Sequence, residues 1–144
     1  MMISTRGRYA LRIMVELALY PGEDCMSLKE IAQRQEISEK YLESIVKRLV
    51  TAELVVSLRG KNGGYRLARP ASSYTVLEVL ELAEETLAPV TCLEGEEPCP
   101  RSDKCLVLPI WQGLNQVIRD YLSGITLEQL VQQTAGKGLS TDYI

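Results

Sequence analysis

The chain of 144 residues is 46% hydrophobic and 24% charged, which predicts one soluble globular domain, with or without a small extension. Its net charge of −3 is unevenly divided, because residues 1–69 carry 12 basic and 8 acidic side chains whereas residues 70–144 carry 4 and 11. This division favours a basic contact face in the first half, although chance clustering of solvated charges would produce it too. The absence of histidine excludes a Ser-His-Asp or Cys-His site, so we expect no enzyme.

No apolar run reaches the length of a membrane span, and Arg6, Arg8 and Arg12 interrupt the segment where a signal peptide would be apolar. We therefore expect a cytoplasmic protein with no membrane partner. The cytoplasm is reducing, so its cysteines are expected to act as metal ligands or redox groups rather than as structural disulfides.

Two short helices joined by a tight turn are predicted after a first helix, which spans residues 8–20 and stops at Pro21 and Gly22. Ser27, followed three residues later by Glu30, opens the second helix with a capping box. Ser38 then caps a third helix that runs to about residue 52. The pattern is typical of a helix-turn-helix, although a generic helical hairpin has the same periodicity.

A basic hairpin follows these helices. Residues 54–58 and 65–68 read as two strands, and the turn between them holds three glycines together with Arg59 and Lys61. A helix-turn-helix followed by such a hairpin predicts a winged helix. We therefore predict a mainly α fold with a small β-hairpin, in which residues 1–70 form a winged helix-turn-helix DNA-binding domain.

The candidate DNA-contacting residues lie on the first helix, on the polar face of the third helix and in the hairpin. Base contacts are usual near the start of the recognition helix, and hairpin cations can contact phosphates or the minor groove. Glu43 could accept a hydrogen bond from a cytosine amino group, and a solvated ion pair with Lys47 is the alternative. The full set is Arg8, Ser38, Tyr41, Glu43, Ser44, Lys47, Arg59, Lys61, Gly63, Gly64 and Tyr65.

Three further helices and a tail are predicted after the hairpin. Thr75 and Glu78 form a capping box, and residues 108–122 place a wide apolar stripe at helical spacing: Leu108, Trp111, Leu114, Val117, Ile118, Tyr121 and Leu122. The stripe favours a homodimer seam, with packing inside one chain as the alternative. A last short helix runs from Thr126 to Val131. Residues 71–133 are thus predicted as a cysteine loop with dimerisation helices, and residues 134–144 as a flexible tail.

Three cysteines, Cys92, Cys99 and Cys105, share one loop of residues 92–105 that is rich in proline, glycine and acidic side chains. Structural thiols are usually packed among apolar residues, and this loop offers few. The pattern therefore favours a metal, an iron–sulfur cluster or redox chemistry. By spacing alone, zinc is an equal competitor, although its structural sites normally close with four protein ligands.

The chain resembles the Rrf-type winged-helix regulators, and within them the cluster sensors of the IscR and NsrR type. The resemblance rests on residues 7–10 (GRYA), residues 37–43 (ISEKYLE), the wing glycines and the loop cysteines, and it covers residues 1–133. It implies a homodimeric transcription factor, usually a repressor, that binds a double-stranded DNA operator under the control of a [2Fe–2S] or [4Fe–4S] cluster. Cys92, Cys99 and Cys105 would hold that cluster.

One position departs from the family pattern, because Leu108 stands where IscR-like members carry a histidine ligand. Arg6 and Arg8 occupy the stretch in which a nitric-oxide sensor offers an aspartate. A fourth ligand would come from Glu94, Glu96, Glu97, Asp103 or Cys25, or from a water or a small thiol. The alternative is a winged-helix regulator without a cluster, acting through a protein partner, a thiol switch or zinc.

Overall fold

The computed structural model describes residues 3–20 and 24–136, and it confirms the predicted winged-helix class with six helices and a two-stranded antiparallel hairpin in this part of the chain. In chain order the elements are α1 (Thr5–Ala18), α2 (Leu28–Gln35), α3 (Glu39–Thr51), β1 (Val55–Leu58), β2 (Gly64–Leu67), α4 (Val76–Ala83), α5 (Leu108–Ser123) and α6 (Leu127–Gly136). Short 3-10 turns lie at Ala71–Ser73 and Thr91–Leu93. Within the described segments, no helix is long and apolar enough to cross a membrane.

The predicted helix starts are confirmed by side-chain caps. The hydroxyls of Ser27, Ser38 and Thr75 each accept a hydrogen bond from the backbone N–H three residues later. α1 begins at Thr5, earlier than predicted, because Ser4 caps it by accepting from the Gly7 N–H at 3.1 Å. It ends at Ala18, and the predicted stop at residues 21–22 lies outside the described residues.

α6 is longer than predicted. The helix was expected to end near Val131, yet it continues to Gly136. Leu127 is fully buried, and Leu130 and Val131 pack against the core, so tertiary contacts hold the helix along one face. Residues 134–136 of the predicted tail are therefore helical, and residues 137–144 lie outside the described residues.

One hydrophobic core spans both predicted segments. α1 packs against α3, α4 and α6, and residues from all of them share the same buried cluster. Its largest fully buried apolar members are Ile13, Met14, Ile31, Leu42, Ile45, Leu49, Tyr74 and Leu127. Residues before and after position 70 therefore contribute to the same buried cluster.

A buried carboxylate joins α1 to α2. Glu16 is fully buried, and its carboxylate pairs with the Arg34 side chain and accepts from Gln35 Nε2 at 2.8 Å. Arg12 Nε in turn donates to Gln35 Oε1 at 2.7 Å. Every buried polar side-chain atom in the described residues has a hydrogen-bond partner, so the network is complete and fixes how α2 lies against α1.

Tyr74 ties the base of the hairpin to the later helices. Its buried hydroxyl donates to Leu54 O at 2.7 Å and accepts from the N–H groups of Ala68 and Arg69. The Tyr74 carbonyl accepts from Leu127 N at 3.1 Å, at the start of α6. A single residue therefore links both ends of the wing to α4 and α6.

The first turn of α1 is held by Glu84, just after α4. One oxygen of the Glu84 carboxylate accepts from both the N–H and the hydroxyl of Ser4 at 2.8 Å. A Cβ on Gly7 would overlap that carboxylate, so this close approach requires glycine. Arg6 adds a hydrogen bond to Ala83 O at 3.0 Å.

Replacing Glu16 with alanine should destabilise the protein by about 3 kcal/mol, the lower end for a broken buried ion pair because Arg34 is partly exposed. The change leaves Gln35 Nε2 and the Arg34 guanidinium without their buried acceptor. Urea unfolding at fixed protein concentration measures the effect. Glu85→Ala, at an exposed position, is the control and should change stability by less than about 0.5 kcal/mol. Equal stabilities for the two variants would contradict the structural role of the network.

Candidate nucleic-acid interface and cysteine loop

The outer face of α3 is polar throughout. Ser38, Tyr41, Glu43, Ser44 and Lys47 are all exposed, while the opposite face is buried in the core. Two of the hydroxyls also stabilise the helix, because Ser38 caps it and Ser44 Oγ donates to the Tyr41 carbonyl at 2.7 Å. No ion pair between Glu43 and Lys47 occurs among the residues described, so their side chains are not engaged with each other.

Tyr41 on α3 is supported from α1. Its ring meets the Tyr9 ring edge to face with centroids 5.8 Å apart, and the Arg12 guanidinium lies 5.2 Å from the Tyr9 centroid. The sequence analysis missed this contact, since nothing local relates residues so far apart in the chain. Arg8 is exposed on the same helix, and its Nη2 donates to Thr5 Oγ1 at 3.0 Å.

The wing is a short antiparallel hairpin with a cationic tip. β1 and β2 pair from Val55 opposite Leu67 to Leu58 opposite Gly64, and Arg59 and Lys61 are exposed in the turn. The Gly63 N–H closes the turn onto Gly60 O at 3.1 Å. Gly60 has φ of 112°, which suits glycine in the first half of the turn.

The wing is also paired with the segment that precedes α2. Met26 and Tyr65 exchange two backbone hydrogen bonds, with N–O distances of 2.9 and 2.8 Å. Gly64 makes this pairing possible, because its φ is 146° and a Cβ would lie 2.5 Å from the Met26 carbonyl oxygen. The wing therefore holds a fixed place beside the helix-turn-helix rather than extending alone.

The cysteine loop lies at the start of α5. Cys92 is exposed, Cys99 and Cys105 are half-buried, and none of the three is in a disulfide. Cys92 and Cys99 line a cavity of about 240 Å³ that also includes Leu108 and Gln112 of α5. Both cysteines line a second, more open depression of about 370 Å³ with Glu94 and Glu97. The structure thus brings two of the three predicted ligands together.

Cys105 lines neither loop cavity, and Cys25 precedes Met26, which pairs with Tyr65 in the half of the wing nearer the turn. Over the described residues, no three cysteine or acidic side chains are gathered closely enough to hold a metal ion. Leu108 sits at the wall of the cavity that holds Cys92 and Cys99, and Gln112 follows one helical turn later. Among the predicted oxygen donors, Glu97 lines both cavities.

α5 carries two parallel apolar stripes rather than one. Val107, Ile110, Leu114, Val117 and Tyr121 are 43 to 68% exposed and follow a three-four spacing. The second stripe is displaced by one residue, is half-buried and comprises Leu108, Trp111, Ile118 and Leu122. The predicted single stripe mixed these two faces and omitted Val107 and Ile110, because periodicity alone does not separate faces one residue apart.

The chain matches the family model of Rrf2, described as an iron-dependent transcriptional regulator, over residues 3–133. A regulator named IscR from Photorhabdus laumondii is 40% identical over 131 residues, which cover 91% of this chain and 79% of the relative. These relatives are regulators of transcription and not enzymes, so the expectation of no enzyme is confirmed.

Two solved structures support the same assignment. The structure of CymR, the global cysteine regulator of Bacillus subtilis, is 40% identical with a TM-score of 0.77, and the match covers 93% of this chain and 98% of that one. IscR of T. potens is 32% identical with a TM-score of 0.78, over 97% of this chain and 93% of that one. The chain therefore belongs to the Rrf2 family of transcriptional regulators.

Proposed function

We propose that the protein is a homodimeric repressor that binds a specific DNA operator through α3 and the wing, under the control of an iron–sulfur cluster on the cysteine loop. The DNA-binding part of the proposal is supported by the polar face of α3, which lies beside a cationic hairpin that pairs with the segment before α2. Winged-helix proteins of this arrangement place one helix in the major groove.

Each candidate residue has a role in this proposal. Tyr41, Ser44 and Glu43 read base edges, with Glu43 selecting against sites that offer no donor. Lys47 and Arg8 contact phosphates, and Arg59 and Lys61 contact a phosphate or the minor groove. Ser38, Gly63, Gly64 and Tyr65 complete the surface by holding the helix start and the wing in place.

The dimer forms through the exposed stripe on α5. Five large apolar side chains at heptad-like spacing face away from their own chain, which is the pattern of a helix–helix seam. A second copy supplies the same stripe by two-fold symmetry and fixes the distance between two reading heads.

The cysteine loop suits a cluster by its donor set, because thiolates are the usual ligands of iron–sulfur clusters. Cys92, Cys99 and Cys105 would hold it, and a bound cluster would supply a centre that oxygen or nitric oxide can alter. The loop begins shortly after α4 and leads directly into α5, so a change there would reach the dimer helix. That coupling would shift the spacing of the two heads.

One observation favours a second function, which is that of a cluster-free regulator that works as a thiol switch or through a protein partner. Cys92 and Cys99 line a common cavity, Cys105 lines neither loop cavity, and Leu108, which cannot coordinate a metal, stands at the cavity wall. In the switch, these two thiols form a disulfide and give two electrons and two protons to a peroxide. The similarity to CymR, a cysteine regulator, agrees with this alternative. Binding of zinc by the loop is the third alternative.

Arg59→Ala should weaken operator binding by roughly 1–3 kcal/mol, since a positively charged group at the wing tip is lost. The operator is first obtained by in vitro selection with the wild-type protein, and affinity is titrated at moderate salt. Arg101→Ala removes an exposed cation of the cysteine loop and is the matched control. If both variants bind as tightly as wild type, the wing does not contact DNA.

Val117→Lys should convert the dimer to monomers and abolish tight operator binding, because it places a charge in the centre of the exposed stripe. Gln116→Lys adds the same charge at the neighbouring exposed position, facing Asp120, and should remain dimeric. Sedimentation velocity gives the oligomeric state, and circular dichroism checks folding. A dimeric Val117→Lys protein would place the interface elsewhere.

Cys99→Ser and Cys105→Ser should each remove most of the iron and acid-labile sulfide from anaerobically purified protein, because two thiolates rarely hold a cluster. Cys25→Ser, outside the cysteine loop, is the control and should keep the iron and sulfide. Visible absorption and metal analysis provide the measurement. Wild-type protein that stays colourless after reconstitution would reject the cluster. If the Cys105→Ser protein then still changed its operator affinity on treatment with peroxide, that result would support a disulfide between Cys92 and Cys99.

A further inference from the structure

A cavity of about 650 Å³ lies on the side of the molecule where the wing strands meet α1 and α6. Small-molecule sites usually have volumes of roughly 300–1,000 Å³ and mainly apolar walls with a few polar groups. The apolar wall here includes Leu17, Val56, Leu67 and Val131. The cavity is separate from the cysteine loop, and none of the proposed DNA-contacting residues lines it.

Arg66 on β2 is the polar group of the cavity that most favours ligand binding. Arg66 lines the cavity and is half-buried. Among the residues described, its guanidinium makes no side-chain hydrogen bond or ion pair. The other half-buried arginines each have an acceptor within the fold: Arg6, Arg12, Arg34 and Arg119. A partly desolvated guanidinium without an acceptor favours binding of a carboxylate, which matches its planar fork.

The same cavity contains a group of opposite charge. Glu128, in the first turn of α6, lines it and also has no recorded partner in the described part of the chain. Gln132, one turn later, adds an amide. Glu128 is exposed to solvent at the edge of the cavity. A ligand that satisfies both groups carries a carboxylate for Arg66, an ammonium for Glu128 and an apolar body for the cavity wall.

We propose that this cavity binds a small zwitterion with an apolar body, of the size of an apolar α-amino acid or dipeptide. The ligand would touch β1 and β2 on one side and α6 on the other, so it would join the wing strands to the helix behind them. Its binding would therefore add contacts between the wing strands and α6. Any change in operator affinity caused by the ligand rests on the proposed function, whereas binding of the ligand itself does not.

Calorimetric titration of the wild-type protein, without DNA, tests the binding. The probes are L-leucine and L-leucyl-L-leucine at millimolar concentration. 4-Methylpentanoate and 3-methylbutylamine are the matched analogues that lack the ammonium and the carboxylate, respectively. We expect at least one zwitterion to bind roughly tenfold more tightly than either analogue, which corresponds to about 1.4 kcal/mol. The better of the two zwitterions identifies the size class. No heat from either, or equal binding of the analogues, would overturn the proposal.

Arg66→Met should abolish the preference for the zwitterion over the amine, and Glu128→Gln should abolish the preference over the carboxylate. Lys29→Met, at an exposed position of α2 outside the cavity, is the control and should bind as wild type does. Circular dichroism confirms that the variants fold. Unchanged selectivity in both cavity variants would show that the zwitterion binds elsewhere.

Operator titrations without ligand separate this role from a DNA contact. Arg66→Met should keep the operator affinity of wild type and the same dependence on salt. A lower affinity with a shallower salt dependence would mean that Arg66 neutralises a phosphate, and it would overturn the assignment of Arg66 to the cavity. If the wild-type protein bound the zwitterion but no operator, the ligand-binding proposal would be supported and the proposed function would be rejected.

Discussion

The buried carboxylate of Glu16 constrains the whole reading head. A charge without solvent is costly unless it is paired and hydrogen-bonded, so α2 has to present Arg34 and Gln35 to α1 in one arrangement. Arg12 completes the network and lies over Tyr9, whose ring supports Tyr41 on α3. The position of the recognition helix thus follows from an ionic requirement inside the protein, and apolar packing then fills the space around it.

Local features were predictable from the sequence because their causes are local. Ser27, Ser38 and Thr75 cap helices through their own backbone neighbours, and the glycines of the wing turn have conformations that few other residues adopt. Long-range causes were not predictable. α6 packs on the common core through Leu127, Leu130 and Val131, and the two faces of α5 are distinguished only by what covers each of them. The sequence places three cysteines in one loop, but which of them line the same cavity, here Cys92 and Cys99, depends on how that loop folds.

The molecule combines a well-supported frame with a weakly constrained cysteine loop. Tyr74 and the pairing of Met26 with Tyr65 hold the wing by backbone hydrogen bonds from several elements. The cysteine loop has no comparable support, since none of residues 88–107 is buried. The relatives named IscR and CymR match the chain to a similar extent, at 40% identity each.

The hydrogen bonds recorded in the cysteine loop join only residues three apart, such as Leu93 to Val90 and Ser102 to Cys99. Substitutions in this segment therefore cost the fold little, because none of residues 88–107 is buried. Over evolutionary time, such a loop can gain, lose or exchange ligands while the DNA-reading head stays intact. Leu108 at the wall of the loop cavity is itself only half-buried, so exchange of that side chain would alter the cavity without removing a member of the buried core.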